Sequence, residues 1–164
     1  MYYTVYTAPL GELYILENEG FVIEVTFDGE PFVVSKQQGI SAIKEETPVL
    51  VEAKKQLDEY FKGDRQTFDL PLKQAGTPFQ EQVWAALSAI PYGESRNYAD
   101  IAKTIGNPKA VRAIGQANRR NALPILVPCH RVIGKDRSLT GYAGSKTEIK
   151  EVLLELERIP FIKK

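Results

Sequence analysis

The sequence predicts an α+β protein in two parts. Residues 1–75 form a small N-terminal antiparallel sheet with a helix, and residues 76–164 form a mostly helical, winged-helix-like half with a helix-turn-helix. Three observations carry this. The opening third alternates apolar and polar side chains as strands do, the residues after 76 repeat their apolar positions at helical spacing, and Lys73-Gln74-Ala75-Gly76 between them has the composition of a linker.

Taken in order, Tyr2 to Tyr6, Leu13 to Leu16 and Val22 to Phe27 are strands, separated by turn signals at Pro9-Leu10-Gly11 and Asn18-Glu19-Gly20. Thr47 to Phe61 is a helix with Leu50, Ala53, Leu57 and Phe61 on its buried face and a stop at Gly63, and Thr67 to Leu72 is one more strand. Thr77-Pro78-Phe79-Gln80 then opens a helix. The threonine hydroxyl caps a free N–H, the proline lacks only an N–H that the first turn leaves orphaned, and the glutamine can reach back to complete a capping box. Phe79, Val83, Ala86, Leu87 and Ile90 make the buried face, and Trp84 fits core or rim packing better than a base-stacking platform.

Asn97 to Asn118 carries a helix-turn-helix. A short helix buries Tyr98, Ile101, Ala102 and Ile105, stops at Gly106, and restarts at Asn107-Pro108. In the second helix Ala110, Val111, Ile114 and Ala117 face inward, while Arg112, Gly115, Gln116 and Arg119 share the opposite face, where the glycine allows close approach to a backbone. Helical pairs of this spacing are also common in proteins that never meet DNA.

Composition narrows the classes. With 164 residues and 43% hydrophobic side chains the chain can bury a real core, which excludes disordered and fibrous readings. One cysteine excludes an internal disulfide framework, no apolar run approaches the roughly 20 residues of a membrane span, and the start lacks the layout of a signal peptide. The expectation is a cytoplasmic monomer in a reducing compartment, with no membrane partner.

The zero net charge conceals an asymmetry: residues 1–91 hold 7 Lys and Arg against 14 Asp and Glu, and residues 92–164 hold 14 against 7. Arg96, Lys103, Lys109, Arg112, Arg119, Arg120, Arg131 and Lys135 stand against Asp100 alone, with Asp136 just outside. Such a patch is an electrostatic footprint for a polyanion, or else a solvated basic face. Together with the helix-turn-helix it favours nucleic-acid binding.

Val127-Pro128-Cys129-His130-Arg131-Val132-Ile133-Gly134 contains the only cysteine and the only histidine of the chain, side by side in a strand-like run. The pair suggests nucleophilic chemistry; the alternative is a buried, inert cysteine beside a hydrogen-bonded histidine. Successive side chains of a strand point to opposite faces, so either Pro128 turns the chain or a water bridges thiol and imidazole. A distant carboxylate must then fix the histidine tautomer. In the last helix, Thr147 to Arg158, Ile149, Val152, Leu153 and Leu156 form the buried stripe; Glu148 and Glu157 sit nearest it, and Glu157 is better placed to reach an interior histidine. A partly solvated surface acid is the commoner fate of such a glutamate.

These residues resemble the methylated-DNA–protein-cysteine methyltransferases, or alkylguanine-DNA alkyltransferases. The resemblance is carried by Pro128-Cys129-His130-Arg131-Val132, by Gly76-Thr77-Pro78-Phe79-Gln80 and Val83-Trp84, and by Ile90-Pro91-Tyr92-Gly93-Glu94. It continues through Tyr98, Ile101-Ala102, Gly106-Asn107-Pro108, Arg112-Ala113, Asn121 and Pro124-Ile125 to Gly141-Tyr142 and Leu153-Leu154-Glu155-Leu156-Glu157. It covers nearly all of residues 76–157, while the N-terminal half matches in its strand layout and the Leu10-Gly11 turn. The resemblance implies direct reversal of damage in double-stranded DNA: an O6-alkylated guanine is flipped out and its alkyl group moves irreversibly to Cys129, so each molecule acts once.

It also implies roles. Glu157 orients His130, which deprotonates Cys129 through a water; Tyr98 touches the flipped nucleotide and lends a proton to the leaving guanine, with Lys150 a second donor. The carbonyls of Cys129 and Val132 read the guanine amino group, and Tyr142 packs on the base. Arg112 fills the hole in the duplex and Asn121 braces the turn before the acceptor segment. DNA contacts are expected from Arg112, Gln116, Arg119, Tyr98, Asn107 and Lys109, approaching the minor groove, and a pocket from Asn121, Pro124, Val132, Tyr142 and Ala143. The N-terminal half is structural and the C-terminal half binds DNA and accepts the alkyl group.

Two departures stand out. Ala122 follows Asn121 where the family usually has proline, and Ala143-Gly144-Ser145-Lys146 replaces a Gly-rich stretch, with one extra residue before Glu157. Some relatives hold zinc through Cys and His in the N-terminal half; residues 1–75 contain neither, so no metal and no cofactor is expected. A damage sensor that binds alkylated DNA without repairing it is the alternative, but such proteins replace the acceptor that Cys129 supplies. A transcription regulator would need a ligand or dimerisation module, and a Cys-His hydrolase an oxyanion hole with an Asn or Asp partner.

Overall fold

In the computed structural model, which describes residues 1–28, 30–139 and 147–162, the N-terminal alternation becomes an antiparallel meander. Strand β1 (Tyr2–Ala8) pairs with β2 (Gly11–Asn18) from Tyr2↔Glu17 to Ala8↔Gly11, and β2 pairs with β3 (Phe21–Phe27) with a register shift at Leu16/Glu17. Helix α1 (Val33–Gln38) and the two-residue strand β4 (Ile43–Lys44) follow, and β4 adds parallel to β1, giving the order β3-β2-β1-β4. Neither was expected, because both are too short to show a period. The first turn of α1 is capped from a distance: the buried Glu24 carboxylate accepts the Val33 and Val34 N–H groups, both at 2.9 Å.

Helix α2 (Pro48–Phe61) opens on Thr47, whose hydroxyl accepts from Leu50 N–H, and covers the sheet with Leu50, Ala53, Leu57 and Tyr60. Tyr60, not Phe61, completes the buried stripe; Phe61 is half-buried and stacks on Tyr6. The expected strand over Thr67 to Leu72 is absent. Pro71 has no N–H to offer a ladder, and the segment keeps a single parallel bridge, Val22↔Leu72, held by Val22 N–H on the Pro71 carbonyl at 2.8 Å and Lys73 N–H on the Val22 carbonyl at 3.1 Å.

The chain divides into two units, Met1–Gln74 and Ala75–Lys164. In the second, α3 (Pro78–Ser88) starts with the full capping box of Thr77 and Gln80. Trp84 is 6% exposed and its indole N–H donates to the Ala117 carbonyl at 2.9 Å, so it is core. A Cβ on Gly76 would stand 2.6 Å from the Trp84 ring, which explains the glycine. Helices α4 (Tyr98–Thr104) and α5 (Val111–Arg119) pack on α3 and on each other, and α6 (Thr147–Leu156) closes the unit. Leu153 and Leu154 of α6 are fully buried, contributing roughly 2 kcal/mol each. No described helix is long and apolar enough to cross a membrane.

Candidate active site

The helix-turn-helix is present with its second helix starting late. Asn97 caps α4 in a capping box with Asp100, but Asn107-Pro108-Lys109-Ala110 is a turn closed by Ala110 N–H on the Asn107 carbonyl at 3.1 Å, and α5 begins only at Val111. Val111 therefore faces outward, 41% exposed, and not inward as expected; Ile114, Ala117 and Asn118 are the buried positions of α5. Tyr98, Val111, Arg112, Gly115, Gln116 and Arg119 line one groove of about 500 Å³. The structure thus brings together four of the expected DNA contacts, while Asn107 and Lys109 lie on the turn, exposed and outside this lining.

From α5 the chain turns into the acceptor segment on Asn121. Its side-chain amide donates to the Val127 carbonyl at 2.9 Å and its oxygen accepts from Leu123 N–H at 3.1 Å, so the brace forms although Ala122 stands where the resemblance expects proline. Pro124 is buried and bridges Val127.

Cys129 to Arg131 are not a strand: they form one 3-10 turn after Pro128, whose ψ of 65° departs from the extended range. The chain does turn after Pro128, and the turn leaves a bridging water between thiol and imidazole open. Cys129 is 1% exposed and His130 fully buried. The segment is pinned by Arg96, whose N–H donates to the Arg131 carbonyl at 2.9 Å and whose carbonyl accepts from Ile133 N–H at 3.0 Å.

Glu157, the residue that follows α6, delivers the carboxylate. His130 Nε2 and Glu157 Oε2 stand 2.6 Å apart, both side chains fully buried. Burial lowers the His130 pKa, as do the charges of Arg131 and Lys150, against the pull of Glu157. The interior face of α6 is Lys150, Leu153 and Leu154, continued by Glu157 just past its end, one residue on from the expected stripe; Ile149, Val152 and Leu156 are half-buried and Glu148 is exposed. The face bears two charged residues, and hydrophobicity alone cannot find such a face. Lys150 Nζ donates to the Val132 carbonyl at 2.6 Å, and burial brings its pKa down to about 8 although charge at Cys129 pulls it up.

Sequence reasoning assigned Arg131 to the basic surface. It is buried: Nε donates to Glu157 Oε1 at 2.8 Å, Nη2 to Glu157 Oε2 at 3.1 Å and Nη1 to the Ile90 carbonyl at 2.6 Å. Gly93, at a φ of 81° that favours glycine, adds an N–H to Glu157 Oε1 at 3.2 Å, and the Tyr92 ring lies 5.8 Å from the guanidinium. The resemblance includes Arg131 and the Ile90 to Glu94 stretch but assigns neither a role in this network. Tyr142 and Ala143 lie outside the described residues.

Comparison with known proteins agrees with the geometry. Residues 78–159 match the 6-O-methylguanine DNA methyltransferase DNA-binding domain and residues 1–74 match its ribonuclease-like domain. The constitutive methylated-DNA–protein-cysteine methyltransferase of Bacillus subtilis is 60% identical over 99% of each chain, and that of Methanosarcina acetivorans is 46% identical over 96% of this chain and 98% of its own. The Mycobacterium tuberculosis OGT structure in complex with DNA superposes with a TM-score of 0.85 at 38% identity, covering 98% of this chain and 96% of that one. Buried cysteine, oriented histidine and matched length together leave one conclusion: the chain belongs to the methylated-DNA–protein-cysteine methyltransferase family.

Proposed function

We propose that the protein repairs DNA by direct reversal, taking the alkyl group from O6 of a flipped-out guanine onto Cys129 Sγ in a single irreversible turnover. The observation that carries this is the buried line from Glu157 through His130 to the Cys129 turn. Glu157 holds Nε2, and Nδ1 draws the thiol proton through a water. The sulfur–carbon bond forms as the carbon–O6 bond breaks, and the thiol proton is balanced by protonation of the leaving guanine, from Tyr98 with Lys150 as second donor. A thioether does not hydrolyse, so the molecule is consumed.

Recognition follows from the same elements. The groove of Tyr98, Arg112, Gly115, Gln116 and Arg119 meets the backbone, Arg112 replaces the extruded nucleotide, and Asn107 and Lys109 add contacts beside it. The carbonyls of Cys129 and Val132 read the guanine amino group; Lys150 occupies one lone pair of Val132, and a carbonyl has two. Asn121 and Pro124 fix the pocket wall. A lone acceptor thiol needs a reducing compartment, which fits the cytoplasm.

Peptide mass spectrometry after incubation with duplex DNA carrying one O6-methylguanine tests the reading. One methyl increment confined to the Cys129 peptide is expected, and a Cys129→Ser variant keeps its affinity for that DNA with no increment. Binding by the parent protein without any gain in mass overturns transfer and makes the protein a damage sensor.

A further inference from the structure

We infer that Arg131 is a positioning residue for His130: by gripping both oxygens of Glu157 it keeps the imidazole neutral, its proton on Nε2, and so fit to act as a base through Nδ1. A buried glutamate alone would do the opposite, because an uncompensated carboxylate 2.6 Å from a histidine favours the imidazolium. Here that carboxylate is already spoken for. Arg131 binds it in a two-pronged geometry at 2.8 and 3.1 Å, and Gly93 N–H adds a third donor at 3.2 Å. The guanidinium is itself fixed by the Ile90 carbonyl at 2.6 Å and by the Tyr92 ring, so the whole turn from Ile90 to Gly93 serves as a mould for the ion pair.

Charge counting leads to the same place. Among the described residues, the charges that bear on His130 are Lys150 from α6, Glu157 just after it and Arg131 from its own turn, with Cys129 adjacent as a potential anion. Helix α3 also packs on this turn, and its one acid, Glu81, is exposed. Glu157 offsets Arg131, and while Cys129 is still a thiol the Lys150 ammonium adds a second positive charge, so the balance of these charges in so buried a site disfavours a resting imidazolium. Arg131 is thereby distinct from a surface arginine of the DNA face, and its role is electrostatic as well as structural.

The kinetic consequence rests on the proposed transfer, but the titration does not. His130 is the only histidine, so its ring nitrogens give one unambiguous set of 15N resonances. In the parent these should report a neutral imidazole protonated on Nε2 at neutral pH. In Arg131→Gln the titration midpoint should move upward, the acid limb of the single-turnover rate should move up with it, and the rate should recover in alkaline solution. Arg131→Lys, which keeps a charge but cannot span both oxygens, should fall between. An imidazolium in the parent at neutral pH overturns the inference whether or not the variants fold. So does an Arg131→Gln protein that titrates like the parent while slowing by the same factor at every pH. Should the parent methylate nothing, the proposed function fails while the titration still decides the role of Arg131.

Discussion

Lys150 Nζ sits 2.6 Å from the carbonyl oxygen of Val132, with the lysine side chain wholly inside the protein. Folding therefore lowers its pKa from 10.5 to about 8. Between those values the unfolded chain holds a proton that the folded chain has released, so this group makes stability rise with pH, by about 3 kcal/mol over the interval. Tyrosines such as Tyr6, pushed up to about 12, titrate with the opposite sign. The difference in urea stability between the parent and Lys150→Met isolates the lysine, and a difference that stays flat from neutral to alkaline pH would contradict its burial as an ammonium.

Gly115 lies in the groove of α5, and a Cβ there would meet only Tyr98 Cε1 at 3.9 Å, an ordinary contact. Gly115→Ala should thus leave folding intact or strengthen it by about 0.5–1 kcal/mol, since alanine favours the helix. The added methyl narrows the groove proposed to meet DNA, so affinity should drop. Thermal unfolding and a DNA titration on one preparation check both halves.

Arg119 is exposed beside that glycine. Arg119→Ala should weaken duplex binding to a similar extent whatever the sequence, and reduce the slope of log affinity against log salt by about 1, as loss of one phosphate contact does. An unchanged slope would remove Arg119 from the interface.

Glu157→Gln strands the buried Arg131 guanidinium without its carboxylate. Destabilisation of about 3–5 kcal/mol is expected in chemical denaturation. Transfer by the folded fraction should slow on the order of 10²-fold or more, the usual contribution of a well-oriented base. A Gln variant as fast as the parent would separate His130 from the chemistry.

Asn121→Ala removes the donor to the Val127 carbonyl and the acceptor for Leu123 N–H, both buried. Leaving them unmet should cost about 2–4 kcal/mol, and it loosens the segment that presents Cys129. A loss below 1 kcal/mol would mean that Asn121 does not brace the turn.

The sequence was most legible where a local rule acts alone. Thr77 and Gln80 state a capping box that needs nothing beyond four residues, and the alternation from Tyr2 to Phe27 marks the three strands that pair as a meander. It was least legible where long-range pairing decides. Strand β4 exists because β1 accepts it, α1 is capped by Glu24 from another strand, and Thr67 to Leu72 is denied a ladder by Pro71. Within the site, Cys129, His130 and Glu157 stood out by type and position, whereas Arg131 counted as surface because a basic residue is normally solvated. Its true place depends on three partners, Glu157, Ile90 and Tyr92, none of them within 25 positions in the chain. The same holds for the face of α6, rotated by one residue because Lys150 and Glu157 find partners inside.

With 1% of its surface exposed, Cys129 is shielded from the bulk solution until something is placed before it. For a reagent that can be used once, the relevant hazard is spoilage while idle: a sulfur consumed by peroxide or a passing electrophile is a whole molecule wasted. Burial of the acceptor therefore sets the shelf life of unused protein, and the reserve held between episodes of damage is kept by packing as much as by synthesis.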